Sequence, residues 1–221
     1  MRFKLTAAAA VAAMTGLIVA GLAIGSDNKT SMPAHMHNMA AMQSVTSSDL
    51  RALLDRQLGQ HAVLAMNATN AGVTGSKAFP AAAKALDQNS VALSKSIASV
   101  YGAKAGNTFL NGKFMWRAHI KFFVDYTVAT AKHDTAGQKK AVANLMTYVK
   151  TQAAFFAKAT GLPQKALEND QTAHILQLKG ALDQYAAKNY GQAFTLVDAS
   201  YTHMFMTGDT LASGIAKQKG L

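Results

Sequence analysis

Between Met32 and Met42 the chain places Met32, His35, Met36, His37, Met39 and Met42, six thioether or imidazole donors in eleven residues. Thioethers are soft ligands and imidazoles borderline, a combination that suits Cu(I). A thioether needs no deprotonation, so it still binds at acidic pH where imidazoles take up protons. A flexible segment can wrap such donors around one ion. Copper, or silver as its chemical analogue, is the cofactor expected here. The plainer reading is a polar linker that contains Met and His.

Four further histidines, His61, His119, His174 and His203, stand among apolar residues at helical spacing. His61 follows Leu54 and Leu58. His119 shares a face with Met115, Trp116, Phe123 and Tyr126. His174 aligns with Leu167, Leu178 and Tyr185, and His203 stands beside Met204 and Met206. A buried imidazole left without a partner costs about 1–3 kcal/mol, and a whole domain is stable by only about 5–15 kcal/mol. These side chains must therefore be satisfied, and two ways are open. Each can hydrogen-bond a polar residue of the following helix (Asn89, Tyr148, Tyr201) or an aspartate such as Asp125, Asp198 or Asp209. Alternatively, histidines from several helices converge on a metal ion, zinc and copper both accepting imidazole.

Other chemistries have little to work with. Cysteine is absent, which excludes disulfides, thiolate zinc sites, iron–sulfur clusters and thiol nucleophiles. Of eleven acidic residues only Glu168 is a glutamate, so the several inward glutamates of a carboxylate-bridged di-iron bundle are missing. No nucleophile–base pair or carboxylate pair stands at helical spacing. The expectation is a protein that is not an enzyme.

The elements that must position these residues are helices. Half of the chain is hydrophobic and proline occurs three times, which suits long helices. Residues 1–25 read as an export signal or membrane anchor: Arg2 and Lys4 precede an apolar run from Thr6 to Ile24, with small residues at Ala23 and Gly25. Residues 26–46 form a polar Met/His-rich linker, expected to be flexible. Residues 47–218 form the folded domain. Ser47, Ser48 and Asp49 can cap a first helix bearing Leu50, Leu53, Leu54, Leu58 and Leu64. Pro80 suits the first turn of a second helix, which Gly102 stops. A third helix is expected over 106–132, a fourth from the Asp134–Gly137 turn to about 159. A fifth follows Gly161-Leu-Pro163 and reaches about 188, and a sixth runs from Asn189 to about 216. The fold class is all-α: about six helices as three antiparallel hairpins, because short connections make successive helices neighbours. The spacing of His61, His119 and His174, 58 and 55 residues apart, makes the hairpins look like copies of one unit.

Four stretches carry a resemblance. They are Leu50-Arg-Ala-Leu-Leu-Asp-Arg-Gln-Leu-Gly-Gln-His61, Leu86-Asp-Gln-Asn89 with Ser99-Val-Tyr-Gly102, Trp116-Arg-Ala-His119-Ile with Val124-Asp-Tyr-Thr127, and Tyr201-Thr-His-Met-Phe-Met206 with Gly208-Asp-Thr-Leu-Ala212. Together they resemble a helical domain of exported Gram-positive proteins, sometimes found beside a copper-amine-oxidase-type N-terminal module. The resemblance covers roughly residues 48–216 and implies that His61, His119, His174 and His203 are signature positions. Gln60 stands where a glutamate is expected, and Asn111-Gly-Lys-Phe-Met115 looks longer than usual. The copper association belongs to the neighbouring module, and topaquinone chemistry has no support in this sequence.

The net charge of +11 falls to +9 without Arg2 and Lys4. A basic exported protein suits an anionic cell-wall polymer or membrane surface as partner. The lysines are scattered, with no dense basic run interleaved with aromatics, so nucleic acid is not expected. Two functions follow as expectations: an extracytoplasmic, non-enzymatic metal-binding protein handling copper, or a surface interaction module whose histidines are structural.

Overall fold

The structure is a computed structural model that describes residues 46–221. The leader over 1–25 and the donors Met32, His35, Met36, His37, Met39 and Met42 lie outside the described residues. Everything described is helix or short connection. The helices are α1 (Ser47–Val73), α2 (Phe79–Tyr101), α3 (Ala103–Asn111), α4 (Trp116–Ala131), α5 (Thr135–Thr160), α6 (Gln164–Ala186) and α7 (Tyr190–Lys219).

The ends follow from local chemistry. Thr46, one residue before the expected caps, closes a capping box on α1: its hydroxyl accepts the Asp49 N–H at 3.2 Å, and the Asp49 carboxylate accepts the Thr46 N–H. Asp134 caps α5 by accepting the Gly137 N–H at 2.9 Å. Gly161 ends α5 in the left-handed region (φ 73°), and Pro163 follows two residues on.

One expected helix is divided. The segment expected over 106–132 breaks into α3 and α4 between Asn111 and Trp116. Asn111 and Gly112 are weak helix formers, and Phe114 adopts φ 55°, a conformation no helix continues through. The restart sets Trp116, His119, Phe123 and Tyr126 on the buried side of α4.

The three hairpins α1–α2, α4–α5 and α6–α7 pack together as expected, with α3 appended to α2. Helix α1 is the hub: it lies most extensively against α7 and α2 and also meets α4 and α6. Its approach to α7 is close enough that a Cβ at Gly208 would come within 2.9 Å of the Asp55 backbone nitrogen. Two apolar clusters fill the bundle. Leu50, Leu54 and Leu58 of α1 belong to one, with Phe109, Trp116, Phe156 and Ile215. Ala65, Met66 and Ala68 of the same helix belong to the other, with Phe123, Leu145, Tyr148 and Leu182.

Candidate metal centre

Where six of the helices, all but α3, pass from one apolar cluster to the other, each carries a buried polar side chain. On α1 it is His61, between Leu58 and Ala65. On α2 it is Asn89 and Ser90, between Leu86 and Leu93. On α4 it is His119, between Trp116 and Phe123. On α5 it is Gln152, between Val149 and Phe156. On α6 it is His174, between Leu167 and Leu178, and on α7 it is Ser200, between Val197 and Met204. A polar layer thus cuts the core in two, and its cost is offset only where its groups find partners.

Part of the layer does. Asn89 donates from Nδ2 to the Gln57 carbonyl (2.9 Å) and to Gln60 Oε1 (3.2 Å), while its own Oδ1 has no partner. Ser90 accepts the Trp116 indole N–H at 3.2 Å and donates to the Leu86 carbonyl. His174 Nδ1 meets Ser200 Oγ at 3.1 Å.

The centre is different. His61 and His119 approach Nε2 to Nε2 at 3.4 Å, while the Nδ1 of each ring has no partner within hydrogen-bond geometry. That separation lies beyond the usual 2.7–3.2 Å of a protein N–H hydrogen bond, so the rings satisfy each other poorly. Gln152, fully buried, has no partner at either amide atom. The His174 ring centroid is 5.8 Å from that of His61, Trp116 is 4.8 Å from both His61 and His119, and His119 stacks on Tyr148 at 4.5 Å. A cavity of about 20 Å³ is bounded by all three histidines. A second, of about 40 Å³, has His119, His174, Tyr148, Asp170 and Met204 in its wall. Either has room for a water or an ion.

Burial holds all three rings neutral. It drives His61 and His174 well below the ordinary value of 6.5, with each histidine's neighbour adding to the effect. Burial, and next His174, push His119 down to about 3; the nearby Trp116 carbonyl opposes this weakly without meeting hydrogen-bond geometry at Nδ1. Neutral imidazoles are the form that binds metal.

The sequence-derived candidates separate here. His61, His119 and His174 meet, each from the first arm of its hairpin. His203 is held apart from the centre: its Nε2 donates to the Asp170 carbonyl at 3.0 Å and lies 3.3 Å from the Asp170 carboxylate, which raises its pKa. The expected pairing of each histidine with its own second arm takes a different form. Asn89 bonds α1 backbone and Gln60 rather than His61, Tyr148 stacks on His119, and Ser200, not Tyr201, partners His174. Of the aspartates considered, Asp209 pairs with Arg51 and Asp125 with Lys121, and Asp198 is exposed. Gln152, Ser90 and Ser200 were not singled out by sequence reasoning. Their signal is a polar residue at an inward position of an otherwise apolar stripe.

Among the described residues, no group of three or more His, Asp or Glu side chains is arranged to close on one ion. The histidines offer a pair of facing nitrogens with a third ring beside it. Nor is any helix among the described residues long and apolar enough to cross a membrane. No family model matches the chain, and no curated protein or solved structure matches it either.

Proposed function

We propose that this is an extracytoplasmic, non-enzymatic metal-binding protein that handles copper, and that the bundle holds the ion in its polar layer. The observation that carries the reading is the facing pair of His61 and His119 nitrogens, 3.4 Å apart and fully desolvated. Two nitrogens bound to one three- or four-coordinate ion at about 2.0–2.1 Å sit roughly 3.3–3.6 Å from each other. A separation long for a hydrogen bond therefore suits two ligands of one ion. The unpartnered atoms at His61, His119 and Gln152 support it, because a buried polar atom without a partner calls for a water or an ion. The segment with Met32, His35, Met36, His37, Met39 and Met42 would capture the same metal by the same soft chemistry. The basic Arg2 and Lys4 followed by the apolar run from Thr6 to Ile24 support the extracytoplasmic part of this reading.

The test is copper retained per chain after loading and desalting. Three proteins are compared: the unsubstituted chain, His61→Gln with His119→Gln, and a chain whose six donors over 32–42 are serine. Each substituted chain should retain less copper than the parent. Equal retention by the His61/His119 variant would remove the bundle from metal binding.

A second reading is favoured by a separate observation. Phe194 of α7 is about three-fifths exposed, and Tyr190 and Tyr201, on the same side of the helix, are also open to solvent. On a chain of this net charge, such a face suits a surface module for an anionic polymer or membrane, with the histidines as core residues. Binding to cell-wall fractions that salt weakens and chelators leave unchanged would support it.

A further inference from the structure

We infer that the ion this histidine pair selects is monovalent and soft, Cu(I), with Ag(I) as its redox-inert substitute, over the divalent ions Zn(II) and Cu(II). This deepens the metal-binding reading and rests on it.

Coordination number argues first. Two imidazole nitrogens face each other at 3.4 Å, and no third His, Asp or Glu joins them among the described residues. Protein-bound Zn(II) takes four ligands almost without exception, and Cu(II) prefers four or more in a square. At 3.4 Å the two nitrogens subtend roughly 110–115° at an ion about 2.0–2.1 Å away, too bent for linear two-coordination, and a d¹⁰ monocation is satisfied by three donors where the divalent ions ask for four.

Charge argues second. A dication enclosed with neutral ligands keeps its full charge in a medium that solvates it badly. The Asp170 carboxylate lines the cavity beside His119 and His174, but it already accepts from Thr207 at 3.1 and 3.0 Å and lies 3.3 Å from His203 Nε2, whose charge it offsets. A monocation places half the charge in the same surroundings.

The walls argue third. Leu58, Trp116 and Phe156 line the cavity beside His119, and a dry apolar shell favours the lower charge state of a redox metal. Met204, whose side chain carries a soft thioether, lines that cavity with His119 and His174, while His61 lines the neighbouring one.

The experiment uses the full chain with the six donors over 32–42 replaced by serine, so that only the bundle's donors remain. Under anaerobic conditions, Cu(I) is titrated in competition with bathocuproine disulfonate, and Zn(II) and Cu(II) with chromophoric chelators. One Cu(I) per chain is expected, bound at least about a thousandfold more tightly than either divalent ion, and lost in the His119→Gln variant. Because that variant can also lose structure, the second readout needs no substitution at the site. In ¹⁵N-histidine-labelled protein loaded with Ag(I), silver–nitrogen coupling should appear on the Nε2 resonances of two rings, those of His61 and His119. Zn(II) or Cu(II) held at these histidines as tightly as Cu(I) overturns the selectivity and leaves the metal-binding reading standing. Absence of both Cu(I) retention and silver coupling in a chain whose circular dichroism shows it folded overturns the selectivity and the bundle's part in metal binding together.

Discussion

The imidazoles of His61 on α1 and His119 on α4 meet at 3.4 Å between their Nε2 atoms, both rings buried, with no hydrogen-bond partner on either Nδ1. Removing one ring leaves the other as an unpaired polar group, costing about 1–3 kcal/mol. Removing both leaves nothing to satisfy. His61→Leu and His119→Leu should each lower stability in urea unfolding of the metal-free protein, and the double variant should recover much of the loss. The coupling in this cycle should reach about 1 kcal/mol or more. Additive single effects would mean the two rings do not interact.

Gln152 on α5 presents a starker case, since both amide atoms lack a protein partner at zero exposure. Methionine has nearly the same length and no hydrogen bonds to satisfy. Gln152→Met should raise the stability of the metal-free protein by about 1 kcal/mol. A fall in the urea midpoint would show that the amide is solvated in the layer.

The all-α class, the hairpin order and the inward placement of His61, His119 and His174 were legible because they depend on local periodicity and on turn residues such as Gly102, Asp134 and Gly161. The convergence of the three rings was not, because it depends on how α1, α4 and α6 cross, and a single stripe carries no record of its neighbours. The break before Trp116 was not legible, the segment reading as one helix: Asn111-Gly112 is a weak helical spot, but nothing in the sequence marks the positive φ of Phe114. Its ring reaches Phe122 at 5.6 Å. His203 looked equivalent to the other three by its apolar neighbours. Only the fold reveals Asp170 beside it, 33 residues earlier in the chain.

The hub position of α1 has a mechanical requirement at Gly208. An alanine Cβ there would lie 2.9 Å from the Asp55 backbone nitrogen and 3.0 Å from its Cα, neither of which can swing aside. Overpacking of this kind costs about 1–3 kcal/mol, more than the roughly 1 kcal/mol that alanine gains over glycine in a helix. Gly208→Ala should therefore lower the melting temperature. Gly191→Ala on the same helix meets nothing within 4 Å and should leave it unchanged or slightly raised. Equal behaviour of the two variants would mean that α1 and α7 have slack between them.

The neutral layer makes the fold acid-sensitive. Burial depresses the pKa of His61, His119 and His174, that of His119 to about 3. Below their ordinary value of 6.5 the unfolded chain binds protons that the folded chain refuses. Their contribution is therefore complete above about pH 6.5 and is lost as pH falls below it. His203 works the other way. Hydrogen bonding to Asp170 raises its pKa, so its contribution is complete below 6.5 and is lost as pH rises through the raised value. Three groups oppose one, so the urea midpoint of the metal-free protein should fall from pH 7.5 to pH 5. His203→Gln removes the opposing term and should steepen that fall, while His119→Leu removes one of the three and should flatten it. A midpoint that stays level across this range would mean that the layer admits protons, and with them water, in the folded state.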